Sequence, residues 1–177
     1  MDHHDDHHDD RPDLDHRILT ALHARGAAPR VAAAARALSL AGEHGALWLA
    51  AGLAGAAVDR ERRGAWLRGT ALTAGAHLAS MGVKRLVRRP RPGHVEPLVR
   101  TADRHSFPSS HATSAAAAAV AFGALGAHVV PPLAAAMCLS RLVVGVHYPS
   151  DVAAGAALGA ITARLGARWM TGGRDHG

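Results

Sequence analysis

The sequence predicts an all-α, membrane-embedded helical bundle: about five transmembrane helices preceded by an N-terminal amphipathic helix. Three observations carry that expectation. Ala (41 residues) and Gly (19) supply about a third of the 177-residue chain, and they sit inside apolar runs. Five of those runs approach the roughly 20 apolar residues that cross a bilayer core. None shows the period-two alternation, bounded by turn signals, that marks strands. The mean hydropathy, +0.03, is low for such a protein. A polar tail, an Arg-rich loop and the abundance of Ala and Gly dilute it.

Each element follows in chain order. Residues 1–12 form a His/Asp-rich tail with almost nothing to bury, expected to be solvated and disordered. A metal-binding role for His3, His4, His7 and His8 is the alternative there. Leu14, Ile18, Leu19 and Leu22 recur at helical spacing, with His16, Arg17, His23 and Arg25 off the stripe. A second run, Val31 to Leu40, is interrupted by Arg36. Both read as an interfacial, amphipathic stretch; an ordinary surface helix is the alternative. The five longer segments are Ser39–Val58, Gly64–Val83, His111–Val130, Leu133–His147 and Val152–Trp169. Gly155 and Gly159 form a GxxxG pair, and Ala115–Ala119 gives another smooth surface for close helix approach. Pro131-Pro132 reads as the turn between the third and fourth segments. One domain over residues 13–170, with a C-terminal tail at 171–177, accommodates the whole pattern.

Charge narrows the function classes. Lys+Arg is 20 and Asp+Glu 14, a formal +6, but seven of the acids fall in the first fifteen residues. Residues 16–177 therefore carry +12, and Lys84 is the one lysine. A lone cysteine, Cys138, excludes a disulfide framework and a cysteine zinc site within the chain. Aromatic residues at 3% are too sparse to stack nucleic-acid bases, so no nucleic-acid partner is expected.

Three polar clusters interrupt the apolar pattern, all at segment ends. Lys84 to Arg91-Pro92 follows the second segment. Pro108-Ser109-Ser110-His111 precedes the third. Ser140-Arg141, then His147 to Asp151, spans the exit of the fourth and the start of the fifth. If the segments are spans, segment order alone brings all three clusters to one membrane face. Lys84, Arg91 and Arg141 then suit a doubly charged phosphoryl group. Ser109 and Ser110 stand where a helix begins and form an anion site there. His111 and His147 can serve as acid and nucleophile, and Asp151, four residues beyond His147, can hold its imidazole. The implied reaction is phosphoryl transfer to His147, with His111 protonating the departing oxygen and then activating water. Three fixed cations can replace a divalent metal, so no metal or other cofactor is required.

These residues resemble the type 2 phosphatidic acid phosphatase (PAP2) superfamily, which shares its site with vanadium-dependent haloperoxidases. The family pattern is Lys-x6-Arg-Pro, Pro-Ser-Gly-His and Ser-Arg-x5-His-x3-Asp. Lys84, Arg91-Pro92, Ser140-Arg141, His147 and Asp151 match the first and third motifs in full; Ser110 replaces the glycine of the second. A serine there requires that the backbone not need a positive φ. The resemblance implies a six-helix PAP2-like bundle, a multi-pass cell-membrane location and a lipid phosphate substrate of phosphatidate, phosphatidylglycerophosphate or polyprenyl type. It is similar, too, to short Ala/Arg-rich actinobacterial members, some linked to decaprenylphosphoryl-ribose phosphate dephosphorylation. A vanadate-binding haloperoxidase and a non-enzymatic binder of anions or anionic lipid are the alternatives. Arg85, Arg88 and Arg89 read as headgroup anchors. Glu43-His44 either contacts the site or sits at the interface. The remaining histidines, His77 among them, are expected to have no catalytic part. Membrane side, oligomeric state and the individual lipid are not written in the sequence.

Overall fold

Residues 13–26, 28–101 and 103–172 are described by the computed structural model, and among them every regular element is a helix. The His/Asp tail at 1–12 and most of the C-terminal tail lie outside the described residues. Helix α1 (Leu14–Arg25) starts at Asp13, whose carboxylate accepts the His16 N–H at 2.9 Å, a standard N-cap. Its stripe is narrower than the sequence suggests: Leu19 is fully buried, whereas Leu14 and Ile18 are exposed. That buried side packs α1 onto α6 and α7, so the helix is a component of the bundle.

Helix α2 (Pro29–Ala41) opens with proline in its first turn, where no N–H is lost. A 3-10 turn at Glu43–Gly45 redirects the chain through two left-handed residues, His44 (φ 53°) and Gly45 (φ 75°), into α3 (Ala46–Val58). Helix α4 (Arg63–Val87) is followed by an irregular loop, then by α5 (Ser110–Gly123), α6 (Val130–Val143), α7 (Pro149–Leu165) and the short α8 (Ala167–Thr171). Pro131 and Pro132 are not the turn itself. They occupy the first turn of α6, and the chain reverses just before them.

Helix α5 is the central element, with Ala112, Ala115, Ala117, Ala118 and Ala121 buried along it. Its seam with α7 is built on missing side chains. A Cβ at Gly155 would meet the Ser109 carbonyl, and one at Gly159 would overlap the Thr113 carbonyl. The GxxxG pair therefore lets two backbones touch. Trp48, Trp66, Phe122 and Met137 fill the core beside it, the Trp66 and Phe122 rings 5.3 Å apart.

Helix length is where the sequence expectation changes. Among the described residues no helix is long and apolar enough to cross a membrane. The predicted Ser39–Val58 segment is divided among the end of α2, the 3-10 turn and α3. Leu133–His147 stops being helical at Val143. Helix α4 has 25 residues but carries Arg63, Arg68, Lys84 and Arg85. Hydropathy averages run through turns made of Gly, Val and Ala, because those residues are apolar whether or not they are helical.

Candidate active site

The helix ends that sequence order places together do line one open cavity of about 140 Å³. Lys84, Arg91, Ser110, His111, Arg141 and His147 are on its wall. Ser109 and Asp151 stand behind the wall, both fully buried.

Local structure explains each position. Helix α4 delivers the buried Lys84 in its last turn and ends at Arg88 in a left-handed conformation (φ 51°). The following loop is pinned by Ser106, whose N–H donates to the Arg89 carbonyl (2.8 Å) and whose hydroxyl donates to that of Pro90 (2.9 Å). This turns Arg91 inward. Its Nε donates to the Asp103 carbonyl and its Nη1 to the Val146 carbonyl, both at 2.8 Å. Burial draws the Arg91 guanidinium below its ordinary pKa. Lys84 Nζ lies 3.3 Å from Asp103 Oδ2. Burial pushes the Asp103 carboxyl up, but the His105 N–H and the Lys84 ammonium outweigh it and hold it below the usual carboxylate range.

Ser109 is the N-cap of α5: its Oγ accepts the Ala112 N–H, and its own N–H donates to the Asp151 carbonyl at 3.0 Å. Its hydroxyl is thus engaged with the helix, and Ser110 is the serine on the cavity wall. Ser110 is the first residue of α5 and does not have a positive φ, so the backbone accepts serine where the motif has glycine.

The two histidines are oriented differently. His111 Nε2 carries a proton that it donates to the Ser39 carbonyl at 3.1 Å. His147 is 1% exposed, and its Nε2 lies 3.4 Å from Arg91 Nη1. An arginine N–H can only donate, so the tautomer with Nε2 unprotonated fits. The proton then belongs on Nδ1, which has no hydrogen-bond partner and faces Asp151 Oδ2 at 3.7 Å. Asp151 Oδ2 also accepts the Tyr148 N–H at 2.8 Å. Arg141, buried, donates from Nη1 to the Ser39 hydroxyl, while its Nε has no partner. A cation with an unused donor on a cavity wall is suited to an arriving anion.

The structure also places residues that the spacing did not single out. Asp103, Ser39 and Arg89 all touch motif residues. Glu43 and His44 line the cavity, which decides between their two readings, and His77 joins them there.

The family model of the PAP2 superfamily matches residues 65–174, a stretch that contains all eight motif residues. The chain belongs to the PAP2 superfamily. Two relatives are both decaprenylphosphoryl-5-phosphoribose phosphatases. That of Mycolicibacterium smegmatis is 46% identical over 82% of this chain and 83% of its own length. That of Mycobacterium tuberculosis is 48% identical over 75% and 76%. A transmembrane PAP2 type phosphatidylglycerolphosphate phosphatase from Bacillus subtilis shares the fold, with a TM-score of 0.57 and 22% identity over 86% of this chain and 75% of that one. This PAP2 chain is accordingly a lipid phosphatase, a phosphoric-ester hydrolase.

Proposed function

We propose that this PAP2 enzyme removes a terminal phosphate from a polyprenyl-phosphosugar lipid of the decaprenylphosphoryl-5-phosphoribose kind, without a metal, through a phosphohistidine. The observation that carries the mechanism is the orientation of His147, with Nε2 turned to a cation-lined cavity and Nδ1 to a buried carboxylate. His147 Nε2 forms a bond to phosphorus as the ester P–O bond breaks, and His111, entering as the imidazolium with its Nε2–H on the Ser39 carbonyl, gives its second ring proton to the leaving oxygen. Water then gives a proton to His111 and attacks phosphorus; the N–P bond breaks and inorganic phosphate leaves. Asp151 steadies the imidazolium that forms, and the 3.7 Å gap shortens to a hydrogen bond as charge develops. Lys84, Arg91, Arg141 and Ser110 meet the negative oxygens; Ser109 contributes by fixing the helix start on which Ser110 stands.

The sugar-lipid substrate is supported by the high identity to the two mycobacterial-type relatives over most of both chains. Residence in the cell membrane as a multi-pass protein is supported by the outward-facing Leu53, Leu78, Leu139, Ile161, Leu165 and Trp169. The test is phosphate release by the detergent-solubilised protein from a panel of lipid phosphates in EDTA. Activity that persists in EDTA, highest on the sugar lipid, and a labelled phosphohistidine absent from His147→Ala are expected. Loss of activity in EDTA would overturn the metal-free mechanism.

A further inference from the structure

We propose that Arg89 is a positioning residue for Asp151, and that Asp15 on α1 clamps it in place. This rests on the reading of Asp151 as the group that orients His147.

Arg89 is one of the six unspecified positions between Lys84 and Arg91, and its place after a helix end suggests a headgroup anchor. The structure gives it other work. Its Nη1 donates to Asp151 Oδ1 at 2.9 Å and to the Ser150 hydroxyl at 2.7 Å, and its Nη2 donates to Asp15 Oδ2 at 2.9 Å. The guanidinium carbon lies 4.1 Å from the centre of the Tyr148 ring. Asp15 completes the clasp: Oδ1 accepts the Ser150 N–H at 2.9 Å, and Oδ2 is hydrogen-bonded to the Ser150 hydroxyl. Ser150 and the Arg89 guanidinium hold the Asp15 carboxyl below the usual range, against the upward push of burial.

The two oxygens of Asp151 therefore have separate duties. Oδ1 belongs to Arg89; Oδ2 takes the Tyr148 N–H and faces His147 Nδ1. Fixing Oδ1 fixes the carboxylate plane, and so the direction in which Oδ2 meets the imidazole. Asp151 is fully buried, and Arg89 is its cationic partner among the described residues. A buried carboxylate stripped of its cation is costly and reorients. The guanidinium reaches its three acceptors from two separate nitrogens with its carbon over the Tyr148 ring, a geometry that the single nitrogen of an ammonium does not reproduce. Arg89 is not on the cavity wall, so it acts through Asp151 and does not touch the phosphate. Asp15 precedes the region that the family model matches, so α1 contributes to the site from outside it.

The full chain in detergent tests this through Arg89→Ala, Arg89→Lys and Asp15→Asn, with Arg88→Ala as control and His147→Ala and Asp151→Asn as references. We expect Arg89→Ala to lower kcat about 10- to 100-fold, the scale of a misplaced catalytic group, with KM within about twofold. Added guanidinium should recover much of the lost rate. Arg89→Lys should remain impaired, and Asp15→Asn should lose a few-fold in kcat. Raised KM at unchanged kcat would make Arg89 a substrate contact and overturn the proposal. So would full activity of Arg89→Lys, or an Arg89→Ala rate equal to that of Arg88→Ala. Should Arg89→Ala fail to fold, the kcat losses of the other two variants at unchanged KM decide it. If His147→Ala and Asp151→Asn stay active, the underlying mechanism fails; if they lose activity while the Arg89 variants keep it, only this inference does.

Discussion

The two ends of the bundle are both rich in arginine, and they use it in opposite ways. At the far end, where α3 passes to α4, Arg62 pairs with Asp59 across one turn at 2.7 Å, and the same carboxylate accepts the Trp66 indole N–H at 3.1 Å. Arg62 is exposed there, and its ion pair is a local trim on a helix start. At the site end, Arg91 and Arg141 are tied to backbone and side-chain oxygens contributed by other parts of the chain. The residue type is the same; burial and the origin of the partners differ. A guanidinium in water is screened, whereas one held at a cavity wall keeps its field for an incoming anion.

That contrast can be broken most severely at the nucleophile. His147→Ala is expected to reduce phosphate release to background in a steady-state assay while the protein still purifies as a folded species. Next comes the seam that holds the site together. Gly159→Leu drives a side chain into the Thr113 carbonyl, and the expected result is loss of the folded protein in detergent, seen as aggregation on size exclusion. Arg141→Ala removes a donor from the cavity, and a kcat loss of about 100- to 1,000-fold is expected. At the far end, Arg62→Ala should leave kcat, KM and Tm unchanged within error, since Arg62 is exposed and Asp59 keeps the Trp66 N–H. One change has the opposite sign. Arg88→Gly relieves a left-handed residue at the end of α4 and is expected to stabilise by about 1 kcal/mol, read as a Tm increase of a few degrees.

Much of the site was legible because its residues sit at fixed offsets on short stretches. Lys84 to Arg91 spans the end of α4, and Arg141 to His147 to Asp151 spans the short turn from α6 into α7, so spacing states much of their geometry. The α5–α7 seam was legible for the same reason: Gly155 and Gly159 share a helix face. Arg89 and Asp15 were not, because their pairing joins residues far apart in sequence, and an aspartate beside an acidic tail looks like more tail. Asp103 lies in an irregular loop where no period exists to reveal its partner. Helix lengths were overestimated where apolar residues form turns, as between Val143 and His147.

Helix height has a consequence for how a lipid reaches the enzyme. Helices α3, α5, α6 and α7 have 13, 14, 14 and 17 residues, which at 1.5 Å each rise only about 20 to 25 Å. A hydrocarbon core is about 30 Å thick. Lodged in a bilayer as proposed, these four helices would draw the leaflets beside them together, while the 25-residue α4 rises about 38 Å. On that proposal the phosphate cavity, at the helix ends, would lie at headgroup depth, and a lipid would arrive by sliding sideways within its own leaflet.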